Sequence, residues 1–274
     1  MPPRAIPCPA PAPAHVLFSD VDGTLMDERE RLAIGPRDMA AAAPKVEVVL
    51  TSSRTIAELL PIQARLGLVA PLIAENGTII ALPSGWRGSR VGRLRRIAET
   101  DWRVVTLGAT GGRLRPIVRR CAARAGVTLV EQRDTLPDRG RAVGRTHSIL
   151  ARDSGDAARD ARFQRLLQTR GLEATHSGRW LAITRGADKA SGARFLLALA
   201  ARRGAPFALA AAVGNAENDI TLLAAVERPF VIRNPRRGHD PALASLPRAH
   251  LLEAVGIAGW PEALAHTLTG FRRT

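Results

Sequence analysis

Two aspartates at the end of a short apolar run constrain this chain more than any other feature of its sequence. The stretch HVLFSDVDGTLMD places Asp20 and Asp22 directly after the strand-like residues 16–19 and directly before Gly23. Side chains alternate along an extended chain, so Asp20 and Asp22 point to one side while Val21 turns toward the packed interior. Two carboxylates at the end of a buried strand indicate a site for chemistry, with an ordinary Asp-Gly turn as the alternative.

Polar residues follow an apolar run or begin a helix at three further places in the chain. Residues 51–53 follow the run 46–50, Lys189 begins the helical stretch DKASGARFLLALAARRG, and residues 214–219 read GNAEND. Strand-like runs alternate with helical stretches, which predicts an α/β fold with a Rossmann-like, doubly wound parallel sheet. The ligand site of such a sheet lies outside the carboxyl ends of its strands, so we expect the four clusters to meet there.

Each of the four clusters also has an ordinary structural explanation. The DVDGT stretch can be a turn, and the hydroxyl groups of TSSRT can cap a helix. Lys189 can be a solvated surface lysine, and NAEND can be a capped loop. The occurrence of all four in this order, each after an apolar run or at a helix start, favours a shared site over coincidence.

The middle of the chain differs from its two ends and predicts a separate unit. Residues 83–182 are richer in Arg and Gly, hold three of the four tryptophans and contain weaker strand-like runs. We predict that they form an α+β cap inserted into a core made of residues 15–82 and 183–274. The Pro- and Ala-rich residues 1–14 are predicted to be a disordered leader.

The net charge of +15 suggests nucleic-acid binding, but the distribution of the charges argues against it. The basic residues are scattered, and the 6 Phe, 4 Trp and no Tyr offer no base-stacking platform. Almost all are Arg, as a G+C-rich genome would explain. No 18 apolar residues run together, and the two cysteines form no zinc-site pattern. We therefore predict a cytoplasmic monomer or homodimer with no nucleic-acid and no membrane partner.

The four clusters together resemble the four motifs of the haloacid-dehalogenase superfamily of phosphohydrolases. DVDGTL, TSSR, the lysine of DKASG and GNAEND stand in the order of those motifs, and the insert lies where members with a type-IIB cap carry that cap. The stretches LGLVAPLIAENGTII, ARDSG and HSGRWLAI are similar to those of mannosyl-3-phosphoglycerate phosphatases. The superfamily resemblance covers nearly the whole chain after residue 14.

This resemblance implies a phosphatase that works through an aspartyl-phosphate intermediate. Asp20 would attack phosphorus, and Asp22 would protonate the leaving oxygen and later activate the hydrolytic water. Ser52 would donate a hydrogen bond to a phosphoryl oxygen, and Lys189 would pair with the phosphate and with Asp20. Asn218 would help to hold the phosphate or its loop.

The resemblance also implies a Mg²⁺ ion, which hard oxygen ligands suit and which offsets the charge of an aspartate meeting a phosphate. The family pattern gives the ion the Asp20 carboxylate, the Asp22 backbone carbonyl and an acid from the fourth motif. The expected GDxxND is here GNAEND, which leaves Asp219 as the only Asp of that loop. Asn215 would offer an amide oxygen with one negative charge fewer, and Glu217 is a further candidate.

Substrate recognition is expected from the cap and from the AENG stretch of the core. Mannosyl-3-phosphoglycerate carries a carboxylate beside its phosphate, so Arg152, Arg179 and Asn76 are the candidate binding residues. A solvated cap surface is the alternative for each arginine. The sequence thus predicts a Mg²⁺-dependent phosphatase of a small phosphorylated sugar acid. A phosphatase of another sugar phosphate stays open, as does a phosphate-ligand binding protein that has lost activity through Asn215.

Overall fold

A computed structural model describes residues 13–97, 100–130, 145–177 and 180–269 of the chain. In chain order the strands are β1 (His15–Ser19), β2 (Val46–Thr51), β3 (Leu72–Ala74), β4 (Ile79–Pro83), β5 (Arg93–Ile97), β6 (Thr100–Thr106), β7 (Ile149–Arg152), β8 (Glu173–Ser177), β9 (Trp180–Thr184), β10 (Leu209–Gly214), β11 (Arg228–Arg233) and β12 (His250–Val255). The helices are α1 (Pro36–Ala42), α2 (Ile56–Arg65), α3 (Gly111–Ala125), α4 (Ala157–Gln168), α5 (Lys189–Arg202), α6 (Ile220–Ala224), α7 (Pro241–Ala244) and α8 (Gly259–Thr269). None of these helices has the length and apolar character needed to cross a lipid bilayer.

The larger of two sheets has the strand order β12-β11-β10-β1-β2-β3-β4-β6-β5. β1 lies between β2 and β10 and is parallel to both, and β3, β11 and β12 extend this parallel part. β4, β6 and β5 add an antiparallel extension beyond β3. This topology confirms the predicted α/β fold with a doubly wound parallel sheet.

The central parallel strands β1, β2 and β10 are buried on both faces because helices cover both sides of the sheet. Leu17 of β1 packs on one side with Leu59 of α2 and with α8. Phe18, the next residue, packs on the other side with Leu196 of α5 and with α6. Each fully buried side chain of this size contributes roughly 1.5–3 kcal/mol, which fixes β1 at the centre of the sheet.

Two capping boxes fix the starts of the helices that follow the polar clusters. Before α2, the Thr55 hydroxyl accepts a hydrogen bond from the Glu58 amide at 3.3 Å, and the Glu58 carboxylate accepts one from the Thr55 amide at 2.7 Å. Before α5, the Asp188 carboxylate accepts a hydrogen bond from the Ser191 amide at 2.8 Å. These caps satisfy first-turn amides and thereby place Lys189 at the first position of α5.

The β5–β6 hairpin belongs to the larger sheet, although the sequence division assigned it to the cap. β6 pairs with β4 along the full length of β4, and Trp102 of β6 is buried in the core. The Arg-rich composition that suggested a separate unit comes partly from the exposed edge strand β5, which carries Arg93, Arg95 and Arg96. The elements that form the smaller sheet and its two helices begin at α3, after β6, so the division between the two sheets lies later in the chain than the predicted boundary at residue 83.

A smaller antiparallel sheet with the order β7-β9-β8 forms the inserted cap together with α3 and α4. Its core is built from Leu114 and Val118 of α3, Phe163 and Leu167 of α4, and Leu181 of β9. The amphipathic helices bury one face against the sheet and leave their arginine-rich face outside. The predicted α+β character of the insert is confirmed.

Candidate functional site

The segments that follow β1, β2 and β10 meet at one edge of the larger sheet, because these three neighbouring strands are parallel. The Asp20 amide donates to the Val213 carbonyl of β10 at 3.0 Å, which continues the ladder beyond β1. The Ser52 amide donates to the Ile73 carbonyl of β3 at 2.9 Å. The predicted clusters at residues 20–22, 51–53 and 214–219 therefore lie at the same edge, as expected for a ligand site.

Lys189 joins two carboxylates at the centre of this edge. Its ammonium Nζ donates to Asp20 Oδ1 and to Asp219 Oδ1, each at 2.6 Å. All three side chains are buried, with 1%, 4% and 0% of Lys189, Asp20 and Asp219 exposed. A buried lysine charge is costly unless it is paired. Here two carboxylates pair with the ammonium, and removal of either partner would leave a buried charge without full compensation.

The charges of the cluster shift the pKa values of its members. Burial raises the pKa of Asp20 to about 7, the Asp219 carboxylate adds to the increase, and Lys189 opposes it. Burial alone lowers the pKa of Lys189, but Asp20 and Asp219 outweigh it and hold that pKa above its usual value. The lysine therefore stays charged, and the excess of negative charge favours a further cation beside Asp20.

The GNAEND loop is held in place by Asp219 itself. Asp219 Oδ2 accepts hydrogen bonds from the Asn215 amide at 2.9 Å and the Ala216 amide at 3.2 Å. A Cβ atom at position 214 would lie 2.5 Å from the Asp219 Cβ, so Gly214 is required for this close approach. The carboxylate thus fixes both Lys189 and the backbone of its own loop.

Asn215 lies against the loop that follows Asp22. Gly23 has a φ of +76°, and a Cβ atom there would come within 2.3 Å of the Asn215 Nδ2. Only glycine accommodates both this backbone conformation and the side chain above it. The structure therefore brings the amide of Asn215 to the DVDG segment, as its proposed role beside a metal requires.

The donor set at this edge fits a hard divalent cation such as Mg²⁺. The Asp20 carboxylate and the Asn215 amide provide oxygen atoms, which are the ligands that Mg²⁺ prefers. Both oxygens of Asp219 already accept hydrogen bonds, although each carboxylate oxygen has two lone pairs. The metal roles of Asp20, Asn215, Asp219 and the Asp22 carbonyl stay predictions.

Arg54 is a site residue that the sequence reasoning missed. Its guanidinium donates to both Asp22 oxygens, from Nη2 to Oδ1 at 2.7 Å and from Nε to Oδ2 at 3.0 Å. Such a two-point contact fixes the orientation of the carboxylate as well as its charge. Arg54 is the last residue of the TSSR cluster and stands two residues after Ser52. This position in the sequence could have identified it as a site residue.

Ser52 and Asn76 are connected through the backbone. The Ser52 side chain is 1% exposed, its Oγ accepts from the Arg54 amide at 3.2 Å, and its carbonyl accepts from the Asn76 amide at 3.0 Å. Asn76 has a φ of +56° and donates from Nδ2 to the Thr175 hydroxyl of β8 at 3.2 Å. Its buried Oδ1 has no hydrogen-bond partner among the described residues, which suits a substrate donor.

Glu75 joins the core to the chain that leads into β7, and no sequence pattern indicated this. Glu75 Oε2 accepts from the amides of His147 and Ser148 at 2.8 and 2.7 Å, and Oε1 accepts from the Thr146 amide at 3.0 Å. Arg145 of the same segment donates to the Ser53 carbonyl at 2.6 Å. The start of the cap sheet is thus bonded directly to residues beside the candidate site.

The remaining predicted binding residues lie in different parts of the chain. Arg152 ends β7 in the cap, with its guanidinium carbon 5.8 Å from the centre of the Trp180 ring. Asn218 lies half-buried in the short 3₁₀ turn Glu217–Asp219, which β8 of the cap contacts. Arg179 lies outside the described residues. The binding roles of Arg152, Arg179, Asn76 and Asn218 stay predictions.

Comparison with known proteins agrees with the sequence motifs. Residues 17–87 match the model of the haloacid dehalogenase-like hydrolases. A glucosyl-3-phosphoglycerate/mannosyl-3-phosphoglycerate phosphatase of Methanococcoides burtonii is 25% identical over 91% of this chain and 96% of its own length. A protein of the same name from Persephonella marina is 23% identical over 94% and 98%. The resemblance to haloacid-dehalogenase phosphatases is confirmed.

Solved structures share the arrangement of core and cap. A sugar phosphatase of subclass IIB of the haloacid-dehalogenase superfamily superposes with a TM-score of 0.58 at 14% identity, over 86% of this chain and 93% of that one. The sucrose-phosphatase of Synechocystis, determined with sucrose and phosphate, gives a TM-score of 0.61 at 15% identity over 93% and 98%. At these identities the likeness shows a common fold.

Proposed function

We propose that this chain, which resembles the haloacid dehalogenase-like hydrolases, is a phosphoric monoester hydrolase that acts on phosphorylated sugars. The buried cluster of Asp20, Lys189 and Asp219 carries the proposal. Phosphoryl transfer needs an in-line nucleophile and positive charge near the equatorial oxygens. The Asp20 carboxylate can provide the nucleophile, and the Lys189 ammonium beside it can provide the charge.

The two aspartates of the DVDG segment divide the chemistry between them. Asp20 attacks phosphorus through a carboxylate oxygen, and the P–O bond to the leaving alkoxide of the substrate breaks as an aspartyl-phosphate forms. Asp22 gives its proton to the leaving alkoxide. It then takes a proton from the water that attacks the aspartyl-phosphate, which releases phosphate and restores Asp20. Arg54 orients Asp22 for both transfers.

Mg²⁺ is the proposed cofactor, and the residues that would hold it are Asp20, Asn215, Asp219 and the Asp22 backbone carbonyl. The ion would supply positive charge to the transferring phosphoryl group and help to align it with the nucleophile. The residues around this position also orient the phosphate. Ser52 and Lys189 would donate to its oxygens, and the Asp219 carboxylate keeps the lysine at the correct place.

The proposed substrate is a glycosyl-3-phosphoglycerate, with mannosyl-3-phosphoglycerate as the first choice. Its support is the name of the two curated relatives, glucosyl-3-phosphoglycerate/mannosyl-3-phosphoglycerate phosphatase, which align with nearly the whole chain. The substrate combines a carboxylate, a phosphate and neutral hydroxyls. Arg152 and Arg179 would pair with its anionic groups, and the buried Asn76 Oδ1 would accept from a hydroxyl.

The first experiment is a Mg²⁺-dependent phosphatase assay with mannosyl- and glucosyl-3-phosphoglycerate, sucrose phosphate and para-nitrophenyl phosphate. Asp20→Asn is expected to abolish turnover because it removes the nucleophile while changing little volume. Asp27→Asn is the matched control, since Asp27 is a nearby acid whose partner is Arg31 and which lies outside the cluster. Turnover of Asp20→Asn within tenfold of wild type would contradict the assignment.

A second candidate function is hydrolysis of another sugar phosphate by the same chemistry. The likeness of the fold to a sucrose-phosphatase favours it. The cap, and not the catalytic cluster, would determine which sugar phosphate is recognised. Faster turnover of sucrose phosphate than of mannosyl- and glucosyl-3-phosphoglycerate would support this second candidate. Retained ligand binding without turnover of any phosphomonoester would instead indicate a binding protein.

A further inference from the structure

Two histidines and a glutamate form a compact group on β12 and α8, outside the candidate active site. The ligand atoms of His250, Glu262 and His266 all lie within 4.8 Å of one another, and each residue is half-buried. Glu262 and His266 are four residues apart on α8, so both side chains face the same side of the helix. His250 is the first residue of β12 and approaches them from the sheet.

The carboxylate of Glu262 is already oriented by an irregularity in the sheet. The pairing of β11 with β12 shifts register between Val231 and Arg233, which leaves extra residues on β12. Glu262 accepts hydrogen bonds from the amides of Glu253 and Ala254 there, at 3.3 and 3.2 Å. Metal-ligating carboxylates are usually held by such outer hydrogen bonds, and spare lone pairs remain for a cation.

The two imidazole rings are positioned by an aromatic contact. The ring of Phe230, which is 1% exposed, stacks on His266 at 5.9 Å and meets the edge of His250 at 5.6 Å. The two imidazole centres are 4.6 Å apart. Phe230 thus closes one side of the group with an apolar wall, while the partial exposure of the three ligands leaves a path for an ion.

The charges around His250 favour its neutral form, which is the form that binds metals. Burial lowers the pKa of His250, His266 and Arg228 lower it further, and Glu262 opposes them. Two neutral imidazoles and one carboxylate give a donor set with a single negative charge. The positive charge of Arg228 acts on His250 and works against a bound metal ion, so it limits the affinity of the group for the metal.

We propose that His250, Glu262 and His266 bind one divalent transition-metal ion, with Zn²⁺ as the favoured ion. Two imidazoles and one carboxylate are typical zinc ligands, whereas Mg²⁺ prefers oxygen donors alone. Ligands about 2.0–2.1 Å from a tetrahedral zinc lie roughly 3.4 Å apart, so the three side chains need to close by about 1 Å. A water molecule would complete the tetrahedron.

The proposed zinc site is separate from the phosphatase cluster. β1 and β12 belong to the same parallel part of the sheet. Asp20 follows the carboxyl end of β1, whereas His250 stands at the amino end of β12. The bound ion would tie β12 to α8, the last strand and the last helix of the described residues.

The test is a titration of the full-length protein with Zn²⁺ in the presence of excess Mg²⁺, which competes with Zn²⁺ for the oxygen ligands around Asp20. We expect one equivalent of Zn²⁺ to bind and to raise Tm. His250→Gln and His266→Gln are each expected to weaken zinc binding at least tenfold. His176→Gln is the matched control, because His176 is similarly exposed and lies 3.9 Å from Asp153, and within the part of the chain that the structure describes no third His, Cys, Asp or Glu completes a metal-binding group with them.

A second measurement covers the case in which a histidine variant fails to fold. In the wild-type protein, zinc should perturb the imidazole NMR signals of His250 and His266 and leave that of His176 unchanged. Equal zinc affinity in wild type and the two variants, or zinc-induced shifts confined to other residues, would overturn the proposal. Because its readout is zinc binding, the result is independent of whether the proposed phosphatase activity is found.

Discussion

Asp20 and Asp22 stand two residues apart and have different surroundings. Asp20 is buried against Lys189, whereas 47% of the Asp22 side chain is exposed and the carboxylate is held by Arg54. Different environments allow two carboxylates to take different chemical roles. The buried one suits a nucleophile that needs no exchange with water, and the exposed one suits a group that passes protons to and from the solvent side.

Arg54→Met is expected to slow hydrolysis of sugar phosphates by about 10–100-fold, because Asp22 loses the contact that orients it. The loss should be smaller with para-nitrophenyl phosphate, whose leaving group needs no proton. Measuring kcat on both substrates separates the two effects. Arg31→Met is the control, since Arg31 pairs with Asp27 instead. Equal losses on both substrates would show that Arg54 does not act through Asp22.

Asn215→Asp is expected to tighten Mg²⁺ binding. An added charge a few ångströms from the ion is worth on the order of 1–4 kcal/mol between the dielectric of water and that of a protein surface. Turnover need not rise in parallel, because the new carboxylate also repels Asp20 and the phosphate. The measurement is the Mg²⁺ concentration that gives half-maximal activity. An unchanged value would show that residue 215 does not contact the metal.

The turn between β3 and β4 joins the core to the cap at two points. Glu75 binds the segment before β7, and the neighbouring Asn76 binds Thr175 of β8. Both residues have positive φ values, of 48° and 56°, so the backbone of this turn is held in a conformation that few side chains favour. The cap is therefore bonded to the same turn whose Asn76 amide donates to the Ser52 carbonyl.

Glu75→Gln tests the strength of this attachment. The amide group of glutamine turns one acceptor oxygen into a donor that faces backbone amides, so we expect a loss of about 1–3 kcal/mol in the free energy of unfolding. Urea denaturation provides the measurement. Glu217→Gln, at an exposed position of a turn, is the control. A Glu75→Gln protein within about 0.5 kcal/mol of wild type would show that these hydrogen bonds carry little energy.

The sequence predicted those strands and helices whose formation depends on a local pattern of residues. The strand before Asp20 and the helix beginning at Lys189 have apolar patterns that fix them locally. The partners of Arg54 and Glu75 could not be predicted this way. Asp22 is 32 residues from Arg54 and His147 is 72 residues from Glu75, and only the folded topology brings them together.

The net charge of the whole molecule and the net charge of the buried cluster have opposite signs. The chain carries a net charge of +15, whereas the buried cluster has two carboxylates for one ammonium. A positive molecule attracts an anionic substrate over distances of about 8 Å at physiological salt. The buried carboxylates then require a cation beside them before a phosphate can enter.

The metal-free protein is expected to lose stability as pH rises. Burial raises the pKa of Asp20 to about 7 in the folded state, compared with about 3.9 in an unfolded chain. The associated stability is present below pH 4 and lost as pH rises through 7. Asp20→Asn should therefore reduce the drop in unfolding free energy between pH 5 and 8 by about 1–3 kcal/mol.

Urea unfolding in EDTA at both pH values measures this difference. Asp27→Asn is the control, because hydrogen bonds from Arg31 lower the pKa of Asp27 and keep its titration below this pH window. Identical pH profiles for wild type and Asp20→Asn would contradict the raised pKa of Asp20.

The arginines of β5 also bear on how this protein avoids aggregation. β5 is an outer strand of the larger sheet, and an unpaired strand edge can recruit a strand from another copy. Arg93, Arg95 and Arg96 are all exposed on this strand. A second copy docking edge to edge would bring three guanidinium groups against three more, so like-charge repulsion keeps concentrated copies apart.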